Sequence, residues 1–332
     1  MQNYQGNTPY QKSQPLVSFI LTYYNLPVQM LCECIDSILS LSLSPDEREI
    51  IVIDDGSEVS PVNAIKQCDK DIIYIRQTNG GVSEARNTAL RMASGKYIQI
   101  VDGDDYLLKN PYEHCLELIR TKHDIDVVLF DFTHSSDSAT SYKDSPVTSG
   151  TEYLCNNNLK GAVWCILFRQ SICGKLKFTP GIQYGEDEEF TPQLLLRAES
   201  VIETDAKAYF YRKRNTSATH QQDPESCQRR LDDTIAVIQH LHQITDTMPP
   251  ADRIALQRRV AQLTMDYIYN IIVLTRSRET LNQRIDTLRQ LGLFPLPDND
   301  YSAKYLWFRR ISATSIGRSF LLNTLPFLKK ER

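Results

Sequence analysis

The sequence predicts an α/β fold in which a mostly parallel central sheet is flanked by helices and followed by a helical C-terminal extension. Three observations predict it. Over the first 130 residues, short Ile- and Val-rich runs that are apolar on both faces alternate with helical patterns, as in a sheet covered on both sides. Polar and acidic clusters stand where those runs end, the side on which open α/β sheets keep their ligand crevice. From about residue 225 onward the pattern changes to long stretches of helical periodicity.

In chain order, LVSFILTYY (16–24) reads as the first strand and 27–42 as a helix. EIIVID (49–54) is the second strand, followed by a short helix; DIIYIR (71–76) is the third, followed by a helix over VSEARNTALRMAS (82–94). KYIQIVD (96–102) then runs straight into Gly103, Asp104 and Asp105, before a helix over 111–122 and a strand over 124–132. Residues 133–150 are polar and turn-rich, an excursion from the sheet. A second section resumes with a helix near 150–158, the strand-like AVWCILF (162–168), the acidic GEDEEF (185–190), a helix over TPQLLLRAE and the strand-like KAYFYRKR (207–214). Helices follow over 225–246, 251–276 and 278–291. The expected organisation is a flexible polar lead (1–14), an α/β core (15–220, divided into 15–130 and 150–220) and the helical extension (225–332).

Composition narrows the function classes. With 332 residues, 41% of them hydrophobic, and a formal charge of −4, the chain has volume for one large core or two smaller ones. Lys and Arg do not outnumber Asp and Glu and no recognised module accompanies them, so nucleic acid is not an expected partner. No apolar run approaches the ~20 residues that cross a bilayer, and the start lacks the hydrophobic stretch of a secretory signal, so the expected location is cytoplasmic. Eight scattered cysteines without a CxxC pair read as reduced, packed thiols. Neither HExxH nor GxSxG occurs, which leaves zinc-dependent and Ser-His-acid hydrolysis without a motif.

The segment 301–332 carries a net charge of +6, with Lys304, Arg309, Arg310, Arg318, Lys329, Lys330 and Arg332 against Glu331. Tyr301, Tyr305, Trp307, Phe308, Phe320 and Phe327 interleave with these cations. A helix lying on the anionic inner face of the cell membrane and a helix packed on an acidic face of the same protein both fit this pattern.

TYYN (22–25), DDGS (54–57) and DGDD (102–105) are each explicable alone as turn chemistry. Their common placement at strand exits points instead to one crevice. The ordered set VSFILTYYN, IIVIDDGS, NGGVSEARNTAL, GKYIQIVDGDD, GEDEEF and YFYRKRNTSAT resembles the inverting family 2 glycosyltransferases with the GT-A fold, over residues 15–220. A lone DxD is weak, whereas six segments in the expected order are specific.

The resemblance implies a GT-A-like fold, a nucleotide-sugar donor (UDP foremost) and a divalent cation, Mg²⁺ or Mn²⁺, whose hard character suits carboxylate and phosphate oxygens. By it, Asp104 is the metal ligand, and Asp102 contacts the ribose or supports the ion through water. Asp55 accepts a hydrogen bond from the uracil ring while Asp54 holds its loop, although an Asx turn or helix cap also accounts for this pair. Thr22 and Tyr24 line the base and ribose pocket; Thr22 stands where a proline is common, which leaves the donor preference open. Asn25 reads equally as a structural cap. Arg86 supports an acidic metal-site residue or phosphate, a surface salt bridge being the alternative. Arg212 and Arg214, with Ser217 beyond, approach the diphosphate, for which bidentate guanidinium contacts are suited. Trp164 precedes the acceptor region, where its ring stacks on a sugar or fills core.

GEDEEF reads on its own as an acidic helix start. The resemblance makes Asp187 the catalytic base and Glu186 its support, with an acceptor hydroxyl attacking the anomeric carbon from the face opposite the diphosphate. The implied acceptor is a glycan or a lipid-linked glycan, in polysaccharide biosynthesis. A nucleotidyltransferase that forms sugar nucleotides, which requires a nucleoside triphosphate and releases pyrophosphate, and a non-catalytic nucleotide or glycan binder are the competing classes.

Overall fold

β-Branched and aromatic residues dominate the runs that form strands. The computed structural model describes residues 14–69, 71–122, 124–135, 141–214 and 223–328. Most of the polar lead, Ser217, Lys329, Lys330, Glu331 and Arg332 lie outside the described residues.

The strands are β1 (Val17–Tyr23), β2 (Arg48–Asp54), β3 (Ile73–Arg76), β4 (Tyr97–Asp102), β5 (Tyr106–Leu107), β6 (Val127–Thr133), β7 (Ile166–Arg169) and β8 (Val201–Phe210). Between the first six run α1 (Val28–Leu39), α2 (Val62–Cys68), α3 (Val82–Met92) and α4 (Lys109–Thr121). Later come α5 (Gly150–Asn156), α6 (Gln170–Cys173), α7 (Glu186–Leu195), α8 (Pro224–Thr245), α9 (Pro250–Thr275), α10 (Arg278–Gln290), α11 (Ala303–Ser312) and α12 (Ser315–Leu328). Side-chain caps start five of these helices: Ser149, Asp223, Ser277, Ser302 and Thr314 each accept the N–H three residues on.

One sheet takes the order β3-β2-β1-β4-β7-β6-β8-β5. β1 pairs in parallel with β2 and β4, and β2 with β3, whereas β4–β7, β6–β7 and β5–β8 are antiparallel. The sheet is thus mixed, with parallel ladders joining β3, β2, β1 and β4 and antiparallel ones joining β4 to β7, β7 to β6 and β8 to β5. Short strands buried on both faces look alike in either arrangement, which is why the run pattern reads as mostly parallel. Phe19, Ile20 and Leu21 of β1 are fully buried, each contributing roughly 1.5–3 kcal/mol of transfer free energy.

β8 differs from the run 207–214 expected for it: it starts at Val201 and ends at Phe210. Its first part is disguised because Glu203, Asp205 and Lys207 alternate with buried Thr204, Ala206 and Ala208. Arg212 and Arg214 consequently follow the strand rather than lying in it.

Packing divides the chain into two units that do not follow chain order. The first comprises Met1–Asp144, Trp164–Gly174 and Glu203–Tyr211, and holds the sheet except the first two residues of β8. The second comprises Ser145–Val163, Lys175–Ile202 and Arg212–Arg332, and so joins α5 and α7 to the C-terminal helices. Its core gathers Ile238 and Leu241 of α8, Ile268 and Ile272 of α9, Leu288 of α10, Tyr305 and Phe308 of α11, and Leu321 of α12.

Candidate active site

In the first unit, the sheet order reverses between β1 and β4, because β2 and β3 extend to one side of β1 and β4 lies on the other. Such a switch point opens a crevice at the carboxyl ends of the strands. The register sets the exits level: Tyr23 stands opposite Asp54, and Thr22 opposite both Ile53 and Asp102. The acidic turn closes on this edge through Gly103, whose N–H donates to the Thr22 carbonyl at 3.1 Å. A Cβ on Gly103 would lie 2.6 Å from that same oxygen, so a glycine among the carboxylates permits the close approach.

The β2 exit is built on two buried carboxylates. Asp54 accepts the Ser57 N–H (2.9 Å) and the Tyr74 hydroxyl (2.8 Å), and Arg76 stands 3.6 Å away. Burial and the Asp54 charge both hold the Tyr74 phenol above its ordinary pKa. Asp55 accepts Gln77 Nε2 (2.7 Å) and Gly80 N (2.9 Å) on Oδ1, and Gly81 N (2.8 Å) and Asn79 Nδ2 (3.2 Å) on Oδ2. Those bonds use the four acceptor positions of a carboxylate. Asp55 therefore anchors the 77–81 loop, and a uracil N–H would have to displace one of these donors. Asn25, at φ +48°, ties the β1 exit to the β2 exit: its N–H donates to Ser57 Oγ (3.0 Å) and its Oδ1 accepts the Glu58 N–H (2.8 Å). Tyr24 beside it is half exposed.

At the β4 exit, the buried Arg86 of α3 places Nη2 3.0 Å from Asp102 Oδ1. The guanidinium of this pair is withdrawn from solvent while the Asp102 carboxylate is partly exposed. Asp105 is buried and accepts the Tyr209 hydroxyl at 2.9 Å, and that oxygen in turn accepts the Asp102 N–H at 3.1 Å. Burial, with the charges of Asp105 and Asp102, holds the Tyr209 phenol well above its usual pKa. Trp164 stacks on Tyr209 (centroids 4.4 Å apart) and Tyr211 (5.4 Å), and meets the edge of Phe132 at 5.2 Å. Asp102 and Asp104 are both half-buried. Among the described residues no group of three or more His, Cys, Asp or Glu side chains forms a metal cage. Two carboxylates at one turn do fit Mg²⁺ or Mn²⁺, which take one or two protein carboxylates and complete the shell with substrate phosphate and water.

In the second unit, Gly185 at φ +89° starts α7, and Glu186, Asp187, Glu188 and Glu189 fill its first turn. They face different partners. Asp187 Oδ2 accepts the Val163 N–H at 3.2 Å, Glu188 pairs with Arg259 of α9, and Glu189 pairs with His240 of α8. Arg212 and Arg214, both half-buried, belong to the same unit. Gln77, Tyr209, His240 and Arg259 carry no local signal; each reaches its carboxylate from a different element.

Comparison with known proteins agrees with this architecture. Residues 18–175 match the model for glycosyl transferase family 2. The chain is 33% identical over 223 residues to the uncharacterized glycosyltransferase EpsJ of Bacillus subtilis, covering 62% of this chain and 63% of that protein. It is 28% identical over 215 residues to the putative glycosyltransferase EpsH of the same organism, covering 60% and 61%. It thus spans less than two thirds of the length of these curated relatives. Among solved structures it is similar to S. aureus TarS, with a TM-score of 0.66 at 18% identity over 95% of this chain and 55% of that one. TarS 1–349 in complex with UDP-GlcNAc matches with a TM-score of 0.56 at 17% identity, over 95% and 93%. The fold is GT-A, and residues 18–175 are similar to glycosyl transferase family 2.

Tyr209→Phe removes a donor to the buried Asp105 carboxylate and the acceptor for the Asp102 amide while leaving the ring stack on Trp164 in place. The expected loss is about 2–3 kcal/mol of unfolding free energy, read from the shift of the urea midpoint.

Proposed function

We propose that the chain is a metal-dependent inverting glycosyltransferase that moves one sugar from a UDP-sugar to a hydroxyl of a glycan or lipid-linked acceptor. The observation that carries this reading is the pair Asp102 and Asp104 leaving β4 at the β1/β4 switch point, with Arg86 on Asp102, inside a family 2 segment. The UDP-GlcNAc complex of the structurally similar TarS supports the donor class.

The donor's diphosphate is charged, and its leaving oxygen gains charge as the glycosidic bond breaks. A divalent cation held by Asp104, with Asp102 beside it, supplies neutralisation of that charge when bound. Arg86 fixes the Asp102 carboxylate, and Thr22 and Tyr24 border the nucleoside. Arg212 and Arg214 contact the diphosphate. Asp187, supported by Glu186, accepts the proton of the acceptor hydroxyl as its oxygen bonds to the anomeric carbon; the bond to the diphosphate oxygen breaks and its electron pair leaves with the nucleotide. One displacement inverts the configuration, with no covalent glycosyl-enzyme. A nucleotidyltransferase would instead consume a nucleoside triphosphate and release pyrophosphate.

We also propose that α11 and α12 meet an anionic membrane surface. The tail's side chains sort by direction: Tyr305, Phe308 and Arg318 are buried and Arg309 pairs with Asp298, whereas Trp307, Arg310, Ile316, Phe320 and Phe327 are exposed, as is Lys304, 3.9 Å from Asp266. Rings and cations presented together suit a headgroup layer. No helix among the described residues is long and apolar enough to cross a membrane.

Asp104→Asn is expected to weaken metal-dependent donor binding at least tenfold, measured by calorimetry with UDP-GlcNAc and Mn²⁺; unchanged affinity and metal dependence remove Asp104 from the ion. Asp187→Asn is expected to keep donor affinity and lose about 10²–10⁴-fold in turnover, followed as UDP release across a panel of UDP-sugars and acceptors, and full activity would reject it as base. For the tail, the protein is expected to sediment with phosphatidylglycerol vesicles and not with phosphatidylcholine vesicles. The Phe320→Ser/Phe327→Ser variant should lose that binding; equal sedimentation of both forms counts against the membrane surface.

A further inference from the structure

The first turn of α7 is gripped by helices that the sequence pattern assigns to a separate extension. Before the turn, Asp233 of α8, only 8% exposed, accepts the N–H groups of Gln183 (2.9 Å) and Tyr184 (3.1 Å), the two residues that precede the Gly185 cap. Within the turn, Arg259 of α9, 6% exposed, forks between the Glu188 carboxylate and the Leu159 carbonyl, the latter at 3.0 Å. Its neighbour Arg258 takes the carbonyls of Leu154 (2.8 Å) and Asn157, and Asn158 Oδ1 at 3.2 Å; Gln262 donates to that same Oδ1 at 2.7 Å.

These bonds fix the segment 154–163, and the segment ends on the Val163 N–H that donates to Asp187. At Gly161, φ +37°, a Cβ would stand 2.2 Å from Glu188 Oε2, so the backbone runs directly against the carboxylate that Arg259 holds. Thr191 Oγ1 closes the ring by donating to the Gly161 carbonyl at 3.1 Å.

A buried guanidinium is costly unless its donors are matched, and an apolar side chain would fill the same volume at lower cost. What the fork adds is direction. Four consecutive carboxylates repel one another, and a base among them is useful only when one oxygen is held toward its proton. We propose that Asp233 and Arg259 are positioning residues for Asp187: α8 and α9 clamp the loop before α7 and the 154–163 segment, and thereby set the orientation of the proton-accepting carboxylate. The proposal rests on the reading of Asp187 as base.

The test uses the full chain, with UDP release from the UDP-sugar that gives turnover and, independently of turnover, amide hydrogen exchange. Arg259→Met and Asp233→Ala are expected to lower turnover about 10²-fold while donor KM stays within about twofold. Asp233→Asn, which keeps an acceptor for the two amides, should recover most of the loss. In an Asp187→Asn background, Arg259→Met should cost nothing more, because it acts only through the missing base. A further loss of the same size there would make Arg259 a general structural residue and overturn the proposal.

Exchange at Val163 and at 186–189 should accelerate at least tenfold in Arg259→Met while the amides of β1 and β4 keep their protection. Unchanged exchange overturns the clamp whatever the activity shows. If Asp187→Asn keeps full turnover, the base reading fails; if it is inactive while Arg259→Met and Asp233→Ala are fully active, positioning alone fails. Should Arg259→Met unfold, Arg259→Lys, which retains the charge and stem but loses the fork, gives the same comparison.

Discussion

The pairing of β1 with β2 on one side and β4 on the other is the constraint on which the first unit depends. Because all three run in parallel with level ends, their exit loops are delivered to one edge, and side-chain chemistry only has to finish what the ladder begins. The contact between the Gly103 amide and the Thr22 carbonyl shows how tight that edge is: the backbone of the acidic turn lies where a side chain would collide. Asp54, Asp55 and Asp105 are then committed to backbone amides, Gln77 and two tyrosines. Carboxyl groups this deeply buried are accommodated because each is hydrogen-bonded, and the same bonds hold the loops.

The acidic residues accordingly divide by what surrounds them. Asp54, Asp55 and Asp105 are buried and shape the loops, whereas Asp102 and Asp104 remain half-buried at the turn. The second unit repeats the division along a single helix turn, where Glu188 and Glu189 are taken up by Arg259 and His240. The C-terminal helices therefore belong to one packing unit with α7 and also hold its first turn.

Much of this was legible in the residues. Alternating apolar runs located β1, β2, β4 and β6 and the helices between them, since burial on both faces leaves a continuous Ile and Val signature. The helices α8, α9 and α10 start and end close to their periodic patterns, helped by the Asp223 and Ser277 caps. The acidic strand exits were visible because Asp and Gly at the end of an apolar run are a local pattern. Strand direction in the β7-β6-β8-β5 half was not, and β8 hid behind the charged outer face of Glu203, Asp205 and Lys207.

The sequence by itself determined the alternation of elements, the acidic turns at their ends and the charge of the tail, because each depends on neighbours a few positions apart. Only the tertiary structure decided that Asp55 holds the 77–81 loop, that Tyr209 reaches Asp105 from 104 positions away, that Arg259 reaches Glu188 across 71, and that Tyr305 turns inward while Trp307 turns out. A hydrogen bond depends on distances of about 3 Å, and such distances between remote residues are fixed by strand order and helix packing, which no local pattern records.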